Sequence, residues 1–561
     1  MKSATVALAQ SDLFQTRSEL LTRAARVDLA YDRAKAIADT IGLSFNDILN
    51  LTPKFWETHL DPIFASDAAA TTLLTIQYNL VAGTLAKFAA SDRPELIPLV
   101  QDIIAYRKIG QFCLTELGRG LDIYRMKTIA TLLPSGEFDL HTPTLNDAKF
   151  MPPTVPIKGI PCIAVVFAKL VVDGEDRGPR PFLVPLNDGY SMCKGVTSRL
   201  LPPRGGSTPV NHALTSFTHV RLPPSALLGQ LAKPESTHAE FMSQIWRVAV
   251  GTLSLSSPTI IALQVASFVA GKYFQRRHVT GPMGSPMPII AFRTQQQPLF
   301  TAIAQSYALR AMYRWAMPIF TDQTIDVRAR HGVATCCKAV MVQHAQAANI
   351  ALSERLGAQG LFEYNRISLN WNEIRGMTIA EGDVLGLSMH LVTDLLMQKY
   401  SMPEPADPSS LLAQHESALF EDALNACTSA PDFIQGYMSH VQPNAQRMTE
   451  AMGCRMAYEA ARAQGVPACL ADLYLVAALK LDAAWYAEKG VLARATLDDM
   501  ERSALDAAMP RLNEFLDDMG VEPYVTSPVV SDDAWSSFAH SLPAYTHRPV
   551  QESFELERAR L

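Results

Sequence analysis

The sequence predicts an α+β fold in which a helical N-terminal domain, a compact β domain and a helical bundle follow one another, with a further helical region at the end. Two observations carry this. Apolar residues recur at spacings of three and four over long stretches on both sides of the centre, as in Leu73, Ile76 and Leu80 or Val81, Leu85 and Phe88. Between them the pattern changes to β-branched runs closed by turn residues. The boundaries read as 1–112 for the first helical domain, 113–232 for the β domain, 233–400 for the bundle and 409–561 for the second helical region and tail. Ser401 to Pro408, rich in Pro and Ser, is the expected linker.

The β domain is the clearest element. Cys162 to Val172 is dominated by Val, Ile, Leu and Ala and ends at Asp173-Gly174, a turn signal; Phe182–Leu186 and Phe217–Leu222 are further short strands. Helices resume at Thr237, where Thr237 and Glu240 have the spacing of a capping box. Helical patterns then cover Phe241 to Arg277, Pro298 to Phe320, Gly332 to Leu356 and Asp383 to Lys399. Gly357 stands where a helix ends in a left-handed residue.

Composition bounds the function. At 561 residues, 48% apolar and 19% charged, the chain has material for several cores. A net charge of −6 with no basic block argues against a nucleic-acid partner. The eight cysteines include no C-x-x-C pair and no zinc spacing, so buried reduced thiols and no metal are expected. Val248 to Gly271 carries no charge, but Pro258 and seven Ser, Thr or Gln positions fit a buried bundle helix better than a membrane span. Met1 to Gln15 lacks the apolar core of a signal peptide.

Five segments carry candidate chemistry. Thr115-Glu116-Leu117-Gly118-Arg119-Gly120 is a polar loop whose glycines permit close backbone approach, although a plain helix-to-strand turn has the same look. Lys149-Phe150-Met151-Pro152-Pro153 opens a second such element with an aromatic ring. Arg277, then Arg293 and Gln296, supply forked donors suited to phosphate oxygens, or equally a basic helix end favoured by the dipole. Leu356-Gly357-Ala358-Gln359-Gly360 is a glycine turn after a helix. Glu381-Gly382-Asp383 places a carboxylate among Met377, Ile379, Val384 and Leu385, where burial raises its pKa towards that of a working base; Asp383 is a candidate helix cap.

Together and in this order, these segments resemble the acyl-CoA dehydrogenase and acyl-CoA oxidase superfamily, and the extra C-terminal helical region resembles the oxidases. The resemblance covers about 30–400 and continues in outline beyond. It implies an acyl-CoA dehydrogenase-like fold and FAD as cofactor, held by Thr115, Gly118, Gly120, Phe150, Arg277, Arg293, Gln296, Gly357, Gly360, Gly382 and Asp383. It implies Glu381 as the catalytic base that takes the α-proton of an acyl thioester while flavin takes the β-hydride, with O2 reoxidising the flavin to give H2O2. The backbone amide of Glu381 would bind the thioester oxygen. A homodimer is implied, because Arg277 and the Gly357 loop would serve the partner's FAD. Phe150 stands where the family has Trp, Pro153 and Ala358 where it has Gly, and Arg293 where it has Gln. These departures also suit a desaturase of a polyketide or carrier-bound intermediate in secondary metabolism, or a non-catalytic partner subunit of this fold. The closing Ala559-Arg560-Leu561 is similar to the Ser-Lys-Leu peroxisomal address, and a peroxisomal location is expected.

Overall fold

A computed structural model describes residues 4–205, 209–281 and 284–546. The terminal Ala559-Arg560-Leu561 lies outside the described residues. The N-terminal part is helical, with α1 Arg23–Ile41 packed on α2 Ala68–Thr75. Helix α2 runs without a break into a π-helical turn, Ile76–Ala82, and then into α3 Gly83–Ser91. Such a turn holds one residue more than an α-helical one and re-aims the side chains it carries. A fully buried ion pair, Arg33 to Asp67 at 2.9 Å, ties α1 to the start of α2, where Asp67 also caps the helix.

The β domain opens with β1 Ile109–Cys113, four residues ahead of the expected start at 113 because Ile109 to Cys113 pair in register with Cys162 to Val166. The other strands are β2 Ile129–Leu132, β3 Phe138–His141, β4 Lys149–Phe150, β5 Cys162–Val172, β6 Glu175–Asn187, β7 Val196–Leu200, β8 Ala213–Phe217 and β9 Val220–Leu222. The main sheet has the order β1-β5-β2-β3-β9, with β6 paired to β5, and β4-β8-β7 form a second sheet. The Asp173-Gly174 turn joins β5 to β6 with φ of 51° and 78°, the left-handed pair that a tight hairpin needs. The expected strand at 217–222 is two strands, β8 and β9, meeting at His219. Strands β2, β3, β4 and β7 are too short and too polar to stand out in the sequence.

After the sheet come α4 Thr237–Gln244, α5 Trp246–Ser254, α6 Pro258–Arg276, α7 Arg293–Thr321, α8 Val327–Arg355, α9 Ile367–Ile379 and α10 Val384–Leu396. The continuous helix expected over Phe241 to Arg277 is therefore three, the last starting at Pro258, whose missing N–H suits a first turn. The cap of α4 is Ser236, which accepts from Ala239 N–H, and not Thr237, whose hydroxyl bonds Tyr124 instead. One helical stretch, Trp246–Arg276, is long and apolar enough to cross a membrane, and its most apolar window is wholly buried inside the protein. The later helices α11 Leu411–Ser429, α12 Ala445–Ala463 and α13 Ala468–Lys480 continue the bundle, with α12 and α13 packed on α7. All eight cysteines are free thiols, seven of them buried.

The contact that sets up the site is β1 against the π-helical turn. Gln77 receives the Gly110 N–H at 2.8 Å, and a methyl group on Gly110 would stand 2.6 Å from the Val81 side chain. Gly110→Ala is expected to cost about 1–3 kcal/mol by overpacking. Urea denaturation of the variant measures it, and wild-type stability would show that β1 is not pressed against this turn.

Candidate active site

Glu381 sits between α9 and α10 with φ of 52°, followed by Gly382 at 102°. A left-handed Glu is strained, and its surroundings hold it there by direct bonds. Asn79, in the π-helical turn, donates Nδ2 to the Glu381 carboxylate at 2.8 Å and to the Arg247 carbonyl at 3.0 Å. The Thr252 hydroxyl of α5 donates to the Glu381 carbonyl at 3.0 Å. Lys338, in the middle of α8, donates Nζ to the carbonyls of Ala380 and Gly382, each at 2.5 Å, and lies 3.5 Å from that of Glu381. Asp383 caps α10 through its bond from Gly386 N–H at 3.0 Å.

Space for the carboxylate comes from Gly251. A Cβ there would overlap Glu381 Oε2 and approach Asn79, so only glycine fits on this turn of α5. One turn earlier, Arg247 is fully buried; its Nη2 bonds the Ile48 carbonyl, its guanidinium lies 4.6 Å from the Trp246 ring, and Gly83 leaves room for it. Burial governs the protonation of the pair at the centre. The Glu381 carboxyl is pushed up to about 7 by desolvation, against the pull of Lys338 and Asn79. Lys338 is brought down to about 8 by its own burial, against the pull of Glu381 and Asp383. A carboxyl that changes charge near neutral pH, beside three fixed donors, is equipped for proton abstraction.

The polar loop after β1 reaches this centre. Phe150 N–H bonds the Thr115 carbonyl at 3.0 Å, so the two segments that the sequence singled out separately are neighbours. Glu116 locks them. Its buried carboxylate receives the N–H groups of Lys127 and Thr128 at 2.7 and 2.8 Å and the Lys149 ammonium at 3.2 Å. Gly118 N–H bonds the Asn146 carbonyl at 2.7 Å, and Gly120 has φ of 52°. Leu121, at the end of the loop, lies against Gly386 of α10, five residues from Glu381.

Beyond the loop is a groove of about 410 Å³ lined by Arg119, Arg125, Lys127, Lys169, Lys233 and Asp176, among others. Its lining is basic, although Arg119 lies 3.8 Å from Asp147 and Arg125 lies 3.9 Å from Asp122. Lys169 is paired to Asp176 at 2.9 Å and Lys233 to Glu175 at 2.8 Å, while Lys127 and Arg125 are exposed.

The remaining expected residues form a separate group at the ends of α6, α7 and α8. Arg277 closes α6, exposed, and its carbonyl receives Ile289 N–H. Arg293 donates to Gln296 at 2.9 Å and pairs with Asp506, so its fork is engaged within the chain. Gln296 is buried and donates to the Ile290 carbonyl. Gly357 has φ of 62° as expected at the end of α8, and Gly360 is pressed on the Ser353 carbonyl, where a Cβ would stand 2.0 Å away. Arg355 Nε bonds the Thr294 carbonyl at 3.0 Å, which joins the Arg293 and Gly357 segments. From Lys338 to Arg355 is 17 residues of one helix, about 25 Å at 1.5 Å per residue. This group therefore stands well away from Glu381 of its own chain.

Asn79, Gly251, Thr252 and Lys338 were absent from the sequence reading. Each is a small or polar residue in an otherwise apolar helical pattern, and the lysine inside the apolar run of α8 was the one detectable signal. Among the described residues, no group of three or more His, Cys, Asp or Glu is placed to hold a metal.

The chain is similar to known acyl-CoA oxidases. Residues 250–396 match the family described as acyl-CoA oxidase, C-alpha1 domain. Peroxisomal acyl-coenzyme A oxidase 1 of Arabidopsis thaliana is 30% identical over 230 residues, 38% of this chain and 34% of that protein. The human protein of the same name is 28% identical over 214 residues, 36% and 32%. The matched stretch thus spans about a third of these relatives' length. The fold is that of acyl-CoA oxidase 1 from Yarrowia lipolytica, with TM-score 0.83, 17% identity and coverage of 100% of this chain and 94% of that one. Acyl-CoA oxidase-1 of Caenorhabditis elegans, solved with FAD and ATP, matches at TM-score 0.72 and 17% identity over 97% and 96%.

The charge state of Glu381 has a measurable consequence. Its folded pKa lies above the unfolded value, so folding favours the protonated form, and stability falls as pH rises from about 4.5 to about 7. Glu381→Gln removes that loss. The variant is expected to be more stable than wild type at pH 8, by about 3 kcal/mol, and to match it near pH 4.5. Equal melting at both pH values would mean that the carboxylate is not desolvated.

Proposed function

We propose that the chain is an acyl-CoA oxidase, as the match of residues 250–396 to that family supports, and that it oxidises an acyl-CoA thioester to the trans-2-enoyl thioester, with FAD as cofactor and O2 as the final acceptor, releasing H2O2. The observation that carries this reading is Glu381: a desolvated carboxylate that titrates near neutrality, fixed by Asn79, Lys338 and Thr252 on a strained turn.

The residues present fit a flavin. Thr115 and Phe150 are joined, the loop between them and Leu121 is held by a buried ion pair, and the loop adjoins the Glu381 helix. Thr115, Gly118, Gly120 and Phe150 would face the isoalloxazine, with Gly382 and Asp383 beside it. Phe150 would stack without donating a hydrogen bond. Arg277, Gln296, Gly357 and Gly360 would meet the phosphates of the cofactor in a second subunit. Arg293, engaged with Gln296 and Asp506, supports that segment more than it offers a free fork. Bound FAD supplies the hydride acceptor and the reaction with O2. The protein supplies the rest: Glu381 takes the α-proton, and the N–H donors of its turn hold the thioester oxygen as charge builds on it.

The same distances support a homodimer. The Arg277 and Gly357 group is about 25 Å along α8 from the base, and Leu361 and Phe362 beside it are exposed apolar residues suited to a subunit contact. The basic groove favours coenzyme A as the handle, since its phosphates answer Arg125, Lys127 and Arg119. The named relatives are peroxisomal, which supports the same location for this chain. A specialised acyl substrate is the second reading, favoured by Phe150, Pro153 and Ala358, which stand where the family has Trp or Gly.

Two experiments test this. Glu381→Gln is expected to stay yellow with FAD yet lose thioester oxidation by at least about 10³-fold, followed as flavin bleaching under nitrogen; undiminished bleaching would remove Glu381 from the reaction. Reversal of Lys127 and Arg125 to Glu is expected to raise KM for a CoA ester at least tenfold while leaving that for the pantetheine ester within twofold. Equal effects on both would detach the groove from the handle.

A further inference from the structure

Lys338 is a fully buried ammonium in the middle of a long helix, and it contacts no carboxylate. Its acceptors are the carbonyls of Ala380 and Gly382 at 2.5 Å, with that of Glu381 at 3.5 Å. Three consecutive carbonyls of a short turn are thus gathered on one nitrogen. In a trans peptide the N–H points opposite to the preceding carbonyl. Gathering those carbonyls therefore turns the N–H groups of Glu381, Gly382 and Asp383 to the other side of the turn. Successive positive φ values of 52° and 102° make this arrangement possible. Among the described residues none of those three N–H groups has a backbone partner. Three successive N–H groups on that side could receive an anionic oxygen.

We propose that Lys338 is a positioning residue: its ammonium presents this row of N–H donors to the thioester oxygen and holds the Glu381 carboxylate at the substrate's α-carbon. It acts through the turn and does not touch the substrate. The proposal rests on the reading of the reaction given above. Its energetic logic is preorganisation. Donors fixed before the charge develops need no rearrangement in the transition state, and a buried ammonium bound to three carbonyls fixes them more firmly than any neutral side chain. The same charge steadies the ionised form of the base. The charged groups around the turn are few. Helix α8 contributes Lys338 and His331, the turn and α10 contribute Asp383 and His390, and α5 contributes Arg247, while the π-helical turn contributes only neutral Asn79. Removing the ammonium leaves the base with no cation bonded to its own turn.

The test uses the FAD-loaded enzyme with Lys338→Met, which keeps the length and loses the charge. The expected result is a kcat lower by about 100-fold, KM for the thioester within threefold, and an acid limb of the kcat/KM profile moved to higher pH. A Lys338→Met enzyme that melts as wild type, with kcat within twofold and the acid limb unmoved, overturns the proposal. Should that variant not fold, Lys338→Arg is read instead. It keeps the charge and displaces the nitrogen, so the acid limb should stay while kcat falls; wild-type kcat in that variant overturns the proposal equally. Glu381→Gln measured alongside separates the two failures. An active Glu381→Gln enzyme sinks the reading of the reaction, whereas an inactive one beside a wild-type Lys338→Met enzyme sinks only the role of Lys338.

Discussion

Keeping one carboxylate out of water is the constraint on which the rest of the site depends. Desolvation disfavours the charged form of Glu381, and an isolated buried charge would simply stay neutral. The protein brings three elements from distant parts of the chain to meet it: a π-helical turn with Asn79, α5 with Gly251 and Thr252, and α8 with Lys338. Each supplies one thing. Asn79 holds an oxygen of the carboxylate, Gly251 leaves it room, and Lys338 compensates the field and orders the backbone. The result is a carboxyl poised near neutrality instead of one locked in either state.

That requirement explains features that look wasteful elsewhere. A Glu at φ of 52° costs local strain, and a π-helical turn interrupts a good helix. Burying Lys338 carries the desolvation cost of an ammonium. In this position its donors are met by the carbonyls of Ala380, Glu381 and Gly382 in the turn that follows α9. Two liabilities, polar carbonyls in a tight turn and a buried cation, offset one another there.

The sequence made some of this legible and hid the rest for physical reasons. Cys162 to Val172 announced itself because a strand buried on both faces is an unbroken apolar run, and Gly357 because a left-handed helix end prefers glycine. Glu381 and Thr115 were singled out by motif order, and the structure bonds Phe150 N–H to the Thr115 carbonyl. Asn79 and Gly251 could not be found, since their value lies in contacts 302 and 130 positions away in the chain, which no local periodicity encodes. The helix boundaries at Ser254 and Pro258 were missed because the apolar pattern runs straight across them. Arg293 was read as a free fork; its partner Asp506 lies in the C-terminal helical region, too far along the chain to be anticipated.

The Arg293–Asp506 pair also bears on why the extra helical region is there. Asp506 and Glu501 both reach the start of α7, where Gln297 bonds Glu501 at 2.5 Å. Helices α12 and α13 pack along the same α7, and α12 also packs on α8, so the far region braces the two helices whose ends carry Arg293, Gln296, Gly357 and Gly360. Surface ion pairs alone would contribute little. Helix packing contributes much more, because it removes apolar area from water along the whole contact. A group about 25 Å along α8 from Lys338 could serve a cofactor, as proposed, only if its own position is fixed, and the C-terminal helices packed on α7 and α8 provide that support. On the proposed reading the region is part of what fixes the Gly357 end of the bundle, and the Glu381 turn shares in that bracing through α8, which carries Lys338 at its centre and the Gly357 turn at its end.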